Sequence, residues 1–175
     1  MWLSALELVK EIPPDAKLPA RAWMVKSQRM TQDEAKNVAE GPNGETVMRY
    51  DFAFPPDADA FGLAVTMLSG KAEIGNRTKL RLTYKTQLPA GLDKIVAMLG
   101  EQLGNAQYVA MLDPAPDWTT VDLPLSAFTL AGGAQDPDGK LDPDQVQAFG
   151  IGLAGQAQGQ NLAGAIWLKS FEFAE

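Results

Sequence analysis

The stretch that decides the fold is Asp117-Trp118-Thr119-Thr120-Val121-Asp122-Leu123-Pro124-Leu125-Ser126-Ala127-Phe128. From Trp118 onward, polar and apolar side chains alternate between two faces, as they do in a half-buried β-strand. Pro124 cannot donate a hydrogen bond to a neighbouring strand, so it predicts the end of this strand or a sheet edge. Phe128 is then expected to fold back as a buried plug at the rim of a β-sandwich.

A characteristic order of elements continues downstream of this strand. After a Gly- and Asp-rich loop that begins at Ala131, the run Leu141-Asp142-Pro143-Asp144 predicts a one-turn helix with Asp142 as its cap and Pro143 at its first position. Alternation from Phe149 predicts a strand with one bulky and one nearly bare face. Ala165 to Phe173 predicts a closing strand.

This succession of elements resembles the galactose-binding-like superfamily. Within it, the chain is similar to the complex I intermediate-associated protein family and to the family 11 carbohydrate-binding modules. The resemblance covers roughly residues 45 to 173. It implies an all-β fold, an antiparallel jelly-roll β-sandwich, and we expect one such domain over residues 1–175. Residues 1–44 are interpreted from local propensity alone.

Earlier segments support an all-β domain. Strict alternation predicts strands at about 46–54, 61–68 and 79–85, and a short apolar run predicts one at 22–26. Three such strands in succession favour an antiparallel all-β domain, which we expect to be a meander. The polar stretch Thr31 to Gly44 is interpreted as a surface loop, because it ends in turn-forming residues.

Residues 92–103 fit two structures. Their apolar positions match a helical stripe that ends at Gly104. The resemblance instead implies a strand at about 94–99, a turn over 100–105 and a return strand at 107–112. We favour the strand pair, because a helix would interrupt the meander.

Composition excludes several classes of function. The 175-residue chain has 15 Lys and Arg against 22 Asp and Glu, a formal charge of −7, with the two signs mixed along the sequence. Such a chain is poorly suited to nucleic acid, where neutralising phosphates supplies much of the affinity. Because it has no His and no Cys, it cannot form a thiol nucleophile, a Ser-His pair or a zinc site with nitrogen or sulfur ligands. We expect no cofactor.

The sequence leaves the compartment open. No signal peptide is recognisable in the first residues, where Glu7 interrupts the apolar run and no basic region precedes it. No window is apolar over a membrane-spanning length. We therefore expect a soluble chain, either cytoplasmic or, if a leader was removed, periplasmic or peripheral to a membrane complex.

Two segments of the sequence are compared with known types of calcium-binding site. The loop Asp136 to Asp142 offers several carboxylates, but Pro137 and Lys140 interrupt it and a terminal bidentate Glu is missing. Related modules hold calcium with an acidic pair in the last strand, where this chain has Lys169 and Ser170. A lysine ammonium cannot bind a cation, so we expect no metal site.

A ligand is expected on the outer side of the concave sheet. In sandwiches of this kind, aromatic rings stack on sugars while charged and amide side chains bind the hydroxyls. The candidate residues are those that project outward if the meander is correct: Arg49, Asp51, Arg81, Thr83, Lys85, Gln107 and one of Tyr84 or Tyr108, with Tyr108 preferred. Trp118 is expected to pack at the sandwich edge instead. Alternating Arg and Lys can also serve solubility alone.

Three functions remain open. The first is a non-catalytic binding module for a carbohydrate or similar polar ligand. The second is an accessory or assembly subunit of a larger, possibly membrane-bound, complex, docking another protein subunit through Trp2, Leu3, Leu6 and Val9. A carboxylate-based hydrolase is the weakest, because nothing in the spacing of Asp51, Asp113, Asp117 and Asp122 selects a catalytic pair.

Overall fold

Two antiparallel sheets make up the domain. The computed structural model describes residues 21–40, 43–57, 59–68, 71–101, 106–156 and 161–175. Within them, eleven strands form one six-stranded and one five-stranded sheet, and every pairing is antiparallel. The predicted all-β jelly-roll sandwich is confirmed. Among the described residues, no helix has the length and hydrophobicity needed to cross a membrane.

Sheet A is the six-stranded sheet. In spatial order it contains β1 (Met24–Gln28), β4 (Asp59–Met67), β10 (Val146–Gln156), β6 (Ile95–Glu101), β7 (Gln107–Leu112) and β9 (Thr129–Leu130).

Sheet B is the five-stranded sheet. Its spatial order is β2 (Gln32–Glu40), β3 (Glu45–Phe54), β11 (Leu162–Ala174), β5 (Lys79–Gln87) and β8 (Thr119–Pro124). A four-residue helix, α1 (Lys71–Ile74), precedes β5.

The inner faces of the two sheets form one core. Alternation places every second residue of the strands between the sheets. Each large apolar side chain buried there stabilises the fold by roughly 1.5–3 kcal/mol. The largest fully buried side chains are Tyr50, Tyr84, Tyr108, Phe52, Phe54, Phe149, Ile74, Leu80, Leu82, Ile95, Leu99 and Ile151.

The predicted surface loop at Thr31 to Gly44 is wrong over most of its length. Residues 32–40 form β2, the edge strand that pairs with β3. An edge strand tolerates polar side chains because one of its sides faces solvent. Its Glu34 and Lys36 are exposed and ion-paired at 2.9 Å. Polar composition therefore concealed a regular strand.

In the described part of residues 92–103, the strand prediction is confirmed, since β6 covers Ile95–Glu101. β6 and β7 pair with each other, and their alternate residues enter the core. The predicted meander is incorrect, however. β3, β4 and β5 do not pair with one another: β4 belongs to sheet A, whereas β3 and β5 lie on either side of β11 in sheet B. Successive strands cross between sheets, and alternation alone cannot reveal this.

Two smaller predictions agree with the structure. Phe128 is 6 % exposed and packs in the core. Pro143–Gln145 forms a single 3₁₀ turn with Asp142 at its N-cap and Pro143 in its first turn. The Asp142 carboxylate accepts a hydrogen bond from the Gln145 side chain at 3.0 Å and caps no backbone amide.

Candidate binding face

A buried tryptophan occupies the middle of the outer surface of sheet B. β11 places Trp167 directly between Arg49 of β3 and Lys85 of β5. The Arg49 guanidinium lies 5.1 Å from the centre of the Trp167 ring system, and the Lys85 ammonium lies 4.7 Å from it. These two cations cover the indole, which is 8 % exposed. Cations are attracted to the negative face of an aromatic ring.

Trp118 supplies a second indole beside the first. The Lys85 ammonium also lies 5.0 Å from the Trp118 ring, so the lysine is shared between the two tryptophans. The Lys169 ammonium lies 6.0 Å from Trp118. Unlike Trp167, Trp118 is 38 % exposed. We call the surface formed by Trp118, Trp167, Arg49, Lys85 and Asp51 the tryptophan face.

Hydrogen bonds hold residues 113–115, in the segment that leads to Trp118, against β5. The Tyr84 hydroxyl donates to the carbonyl of Asp113 at 2.7 Å. Thr86 donates its amide to the carbonyl of Ala115 at 2.6 Å, and its hydroxyl accepts from the Ala115 amide at 2.9 Å. Burial, and secondarily the Asp113 charge, raises the pKa of Tyr84. The phenol therefore remains a donor at neutral pH.

Carboxylates neutralise the cations of the tryptophan face. Arg49 donates to both oxygens of Asp51, at 2.8–3.0 Å, in a bidentate pair. Lys85 donates to Glu40 at 2.6 Å. Because each cation has a partner, the surface presents oriented donors and acceptors without a strong excess of positive charge.

A second polar cluster lies further along the same surface. Arg81 forms a bidentate pair with Asp122 of β8 at 2.7 and 3.0 Å, and Lys79 approaches the same carboxylate at 3.3 Å. The hydrogen bond from Arg81 is the main reason that the pKa of Asp122 is lowered to about 2. Beside this cluster, the hydroxyls of Thr83 and Thr120 are 2.8 Å apart.

A cavity of about 620 Å³ adjoins the tryptophan face. Its walls come from the end of β5, from the loop after it and from the segment that leads to Trp118. The lining residues are Lys85, Thr86, Gln87, Leu88, Pro89, Ala90, Gly91, Leu92, Pro114, Pro116 and Trp167. The indole nitrogen of Trp167 is buried and has no hydrogen-bond partner among the described residues.

Five of the predicted ligand residues share the outer surface of sheet B. Arg49 and Asp51 lie on β3, and Arg81, Thr83 and Lys85 lie on β5. The predicted meander would have made these strands direct neighbours. They face the same way instead because both pair with β11, which lies between them.

Gln107 and Tyr108 are not part of this surface, contrary to the geometry expected from the sequence. Both belong to β7 in sheet A. Tyr108 points into the core, where it is 1 % exposed, and its hydroxyl donates to Asp136. Tyr84 is likewise buried and is 2 % exposed. Neither tyrosine can present its ring to a ligand on the outside of the sandwich.

Trp118 lies at the edge of the sandwich, as the sequence predicts, because it directly precedes the edge strand β8. The sequence does not predict that Trp118 and Trp167 share one surface. The available signal was that Trp167 alternates with buried Ile166 and Leu168, so it must lie on the outer face of the closing strand. The predicted docking residues Trp2, Leu3, Leu6 and Val9 lie outside the described residues.

The acidic loop around Asp136 carries several carboxylates. In the part of the chain that the structure describes, no group of three or more acidic side chains is arranged to hold a metal ion. Tyr108 donates a hydrogen bond to Asp136, and the Asp142 amide donates to Glu101 at 2.5 Å. Burial raises the pKa of Glu101, and neighbouring carboxylates add to this effect.

Comparison with solved structures identifies the architecture. A family 11 carbohydrate-binding module of a cellulosomal cellulase from Clostridium thermocellum superposes with a TM-score of 0.69 at 16 % identity, covering 94 % of this chain and 93 % of that one. A second family 11 structure from the same organism, in complex with a β-1,3-1,4-mixed-linked tetrasaccharide, gives 0.61 at 21 % identity, covering 87 % and 91 %.

A family 30 carbohydrate-binding module is also similar, with a TM-score of 0.54 at 11 % identity and coverage of 84 % of this chain and 78 % of that one. No protein-family model and no curated protein matches the sequence. At these identities the likeness concerns the fold. The chain therefore has the β-sandwich architecture seen in family 11 carbohydrate-binding modules.

Proposed function

We propose that this chain is a non-catalytic module that binds a carbohydrate on the tryptophan face. The observation that carries the proposal is the exposed ring of Trp118 beside paired polar side chains and an adjoining cavity. The axial C–H groups of a sugar ring carry partial positive charge and pack against the negative face of an indole. Sugar hydroxyls need donors and acceptors at fixed positions, which the Arg49–Asp51 pair offers.

The fold likeness supports the choice of ligand class. Several of the similar structures are carbohydrate-binding modules, and one is a complex with a β-1,3-1,4-mixed-linked tetrasaccharide. Because fold alone does not fix a ligand, a polysaccharide with this linkage is the first probe and not the assigned ligand.

The chemistry of the described residues favours binding without catalysis. A glycosidase needs two carboxyl groups facing each other across the scissile bond, one of them able to donate a proton. Asp51 and Asp122 are held by arginines, and Asp113 is paired with Lys94. The hydrogen bond from Arg81 lowers the pKa of Asp122, so this carboxylate is ionised and unsuited to act as an acid.

The test is affinity electrophoresis of the chain through gels that contain mixed-linked β-glucan or other polysaccharides, followed by calorimetry with oligosaccharides. Trp118→Ala should weaken binding by roughly 1–2 kcal/mol, which is about five- to thirtyfold in Kd. The matched control is Gln28→Ala, at an exposed position of sheet A. Retardation that is equal in both variants would place the ligand elsewhere, and no retardation by any polysaccharide would contradict the proposal.

The second candidate is an accessory or assembly subunit of a larger complex. One observation favours it, namely the apolar side chains exposed on sheet A, where Met24, Met67 and Met111 are each more than half exposed. Purification from the native source under mild conditions distinguishes the two candidates. Co-migration with a large assembly, without retention by polysaccharide, would favour the subunit.

A further inference from the structure

Sheet B opens between two of its central strands. Along the described strands, the pairing of β3 with β11 ends at Met48 and Leu168. Beyond this pair, β3 stays paired with β2 to its first residue, and β11 stays paired with β5 to its last. Because each strand follows a different neighbour, the two diverge. A wedge-shaped gap therefore lies between residues 45–47 of β3 and residues 169–171 of β11.

A β-bulge in β11 accompanies this divergence. The register of β11 against β5 shifts between Leu168 and Ser170, so Lys169 is an extra residue in the strand. A bulge bends the strand that contains it, and bulges are common beside functional sites. After the bulge, Ser170 lies opposite Thr83, which faces the outer surface of sheet B. The gap therefore opens on the same surface as the tryptophan face.

The gap leads into a cavity of about 580 Å³ with an aromatic floor. Trp23 and Phe171 line it, and their ring centres lie 6.3 Å apart in an edge-to-face contact. Phe171 also stacks on Phe149 at 4.3 Å, and the Arg21 guanidinium lies 4.7 Å from the centre of its ring. These contacts hold the floor in place. We call the cavity lined by Trp23, Glu45, Thr46, Lys169, Ser170 and Phe171 the fork pocket.

The charged side chains of the fork pocket are paired. The Lys169 ammonium lies 2.6 Å from the Glu45 carboxylate across the gap between the strands. The Arg21 guanidinium lies 2.9 Å from Glu73, and the carbonyl of Arg21 accepts a hydrogen bond from the Asn37 amide at 2.9 Å. These pairs leave the described lining without an excess of charge. An ionic ligand would enter without an opposite charge to pair with, so the pocket favours a neutral polar ligand.

The remaining polar groups suit the hydroxyls of a sugar. The side-chain amides of Asn37 and Asn43 line the pocket, together with the hydroxyls of Thr46 and Ser170. Amides and hydroxyls both donate and accept hydrogen bonds, as sugar hydroxyls do. The C–H face of a sugar ring can pack on the aromatic floor. A few polar groups around an apolar floor are typical of a small-molecule site.

The fork pocket is closed at its narrow end and open towards the tryptophan face. At the narrow end, Met48 and Leu168 lie opposite each other and are 2 % and 3 % exposed. A glycan chain cannot continue past them, so the pocket admits only a chain end. At the open end, the Lys169 ammonium pairs with Glu45 and lies 6.0 Å from the centre of the Trp118 ring. Lys169 therefore belongs to the rim of both surfaces.

We propose that the fork pocket binds the terminal sugar unit of a neutral glycan whose following units pack on the tryptophan face. The inference rests on the proposed function and deepens it, because it assigns a preference for chain ends. An intact polysaccharide has few ends, so its binding reports the tryptophan face. An oligosaccharide can occupy both surfaces and should therefore bind more tightly than an internal segment of the same polymer.

The test blocks the fork pocket without altering the tryptophan face. Thr46→Tyr places a ring in the pocket from the β3 wall, at an exposed position. Gln28→Tyr is the matched control, since it adds the same side chain at an exposed position of sheet A. Chemical denaturation checks that both variants fold. If Thr46→Tyr does not fold, Asn37→Ala with Ser170→Ala removes polar groups from the pocket instead.

The probes are mixed-linked β-glucan, mannan and galactan, each used intact and as the oligosaccharides released by partial hydrolysis. Thr46→Tyr should weaken the calorimetric affinity for oligosaccharides on the order of tenfold. It should leave retardation by the intact polysaccharide unchanged. Trp118→Ala should weaken both, and Gln28→Tyr should weaken neither.

The outcomes separate this inference from the proposed function. If Thr46→Tyr changed neither measurement, or weakened both equally, the fork pocket would not be a chain-end site, although carbohydrate binding on the tryptophan face would stand. If no probe bound the unsubstituted chain in either form, the proposed function and this inference would both be overturned.

Nuclear magnetic resonance gives a direct readout of the same contact. The side-chain amide signals of Asn37 and Asn43 should shift when an oligosaccharide is added, whereas the amide signal of Gln28 should not. Both shifts should disappear in Thr46→Tyr. If the two asparagine signals did not move at an oligosaccharide concentration that saturates the calorimetric titration, the fork pocket would be excluded as the site.

Discussion

The hydroxyl of Tyr50 lies 1.9 Å from the point that a Cβ atom would occupy on Gly62. Tyr50 belongs to β3 and Gly62 to β4, so the contact joins the inner faces of the two sheets. The same hydroxyl donates to Asp33 of β2 at 2.7 Å. Burial raises the pKa of Tyr50, and the hydrogen bond to Asp33 raises it further, so the phenol stays protonated. Gly62 leaves the space in which this hydrogen bond is made.

Gly62→Ala should destabilise the fold. The added methyl group must displace the Tyr50 ring or separate the sheets, and overpacking of this kind costs about 1–3 kcal/mol. Chemical denaturation, followed by circular dichroism, measures the change. The matched control is Gly132→Ala, because nothing lies within 4 Å of a Cβ at Gly132. The two variants should differ clearly, and an equal stability of both would contradict this account of the contact.

Tyr50→Phe should relieve part of that penalty. Removing the hydroxyl leaves the ring carbon at 3.2 Å as the nearest atom of residue 50. Tyr50→Phe alone should be destabilising, because Asp33 loses its donor. In the Gly62→Ala, Tyr50→Phe double variant the loss should be smaller than the sum of the single losses by at least about 0.5 kcal/mol. Simple additivity would mean that the two positions do not compete for space.

Thr86→Val should weaken stability and the binding of the proposed carbohydrate ligand. Thr86 is 6 % exposed, and its hydroxyl accepts the Ala115 amide hydrogen bond. Valine keeps the shape but leaves that amide without its acceptor, at a cost of about 1–3 kcal/mol. The segment leading to Trp118 should then be less firmly held. Chemical denaturation measures the loss of stability. Calorimetric titration with an oligosaccharide measures the loss of affinity.

Thr83→Val is the control for Thr86→Val. It removes a hydroxyl at a more exposed position of the same strand, where the partner is the exposed Thr120. It should change the free energy of unfolding by less than about 0.5 kcal/mol. A Thr86→Val chain with normal stability and unchanged affinity would show that the hydrogen bond between Ala115 and Thr86 is not needed to hold Trp118 in place.

Arg49→Ala and Lys85→Ala should each expose Trp167 to solvent. Their cations lie over its ring and leave it 8 % exposed. In a Trp118→Phe background, quenching of tryptophan fluorescence by acrylamide should increase on either substitution, and the emission should shift to longer wavelength. Arg81→Ala, whose side chain is engaged with Asp122, should leave quenching unchanged. Quenching that is no greater after loss of Arg49 or Lys85 would show that other groups shield the indole.

Arg81→Ala should raise the pKa of Asp122. With Arg81 present, this pKa is about 2, below the value of about 3.9 in unfolded chains. A lowered carboxyl pKa stabilises the fold at pH values above the unfolded pKa, and the contribution is lost as the pH falls from about 4 to about 2. In Arg81→Ala the titration should move towards the ordinary value, remaining partly lowered by Lys79. Carboxyl chemical shifts in NMR report the midpoint directly.

Glu172→Gln is the control for that titration. Glu172 approaches Arg81 at 3.7 Å without contacting Asp122, so its loss should leave the midpoint of Asp122 near its original value. Added salt should raise the midpoint in the unsubstituted chain, because the pair is solvent-exposed and screened. If neither Arg81→Ala nor added salt changed the titration midpoint of Asp122, the pair with Arg81 would not be the cause of its lowered pKa.

Local sequence patterns predicted the strands well where one face is buried. The alternation at Phe52 and at Leu82 follows directly from the hydrophobic core on one side of the strand. The same logic failed for β2, whose side chains receive little burial at the sheet edge. Strand formation there depends on pairing with β3, which is a tertiary interaction that local composition does not report.

The candidate site was harder to predict than the fold because sheet membership is non-local. Alternation shows which residues share a face of a strand, but it does not show which strand lies alongside. The sequence therefore predicts that Tyr108 points outward from the same sheet as Arg49 and Lys85. In the structure it lies on sheet A and points into the core. Arg49 and Lys85 were brought together by β11, which lies far from both in sequence.

The placement of β10 and β11 also determines when this domain can fold during synthesis. β10 separates β4 from β6, and β11 separates β3 from β5, so residues 146–174 supply the centre of both sheets. Until these residues have left the ribosome, β4 and β6 lack β10, and β3 and β5 lack β11. One edge of each of these four strands is then free to pair incorrectly. Assembly of both sheets therefore waits for β10 and β11 and is governed by long-range contacts, which favours slow folding. Nascent chains should consequently depend on chaperones until the last strand emerges.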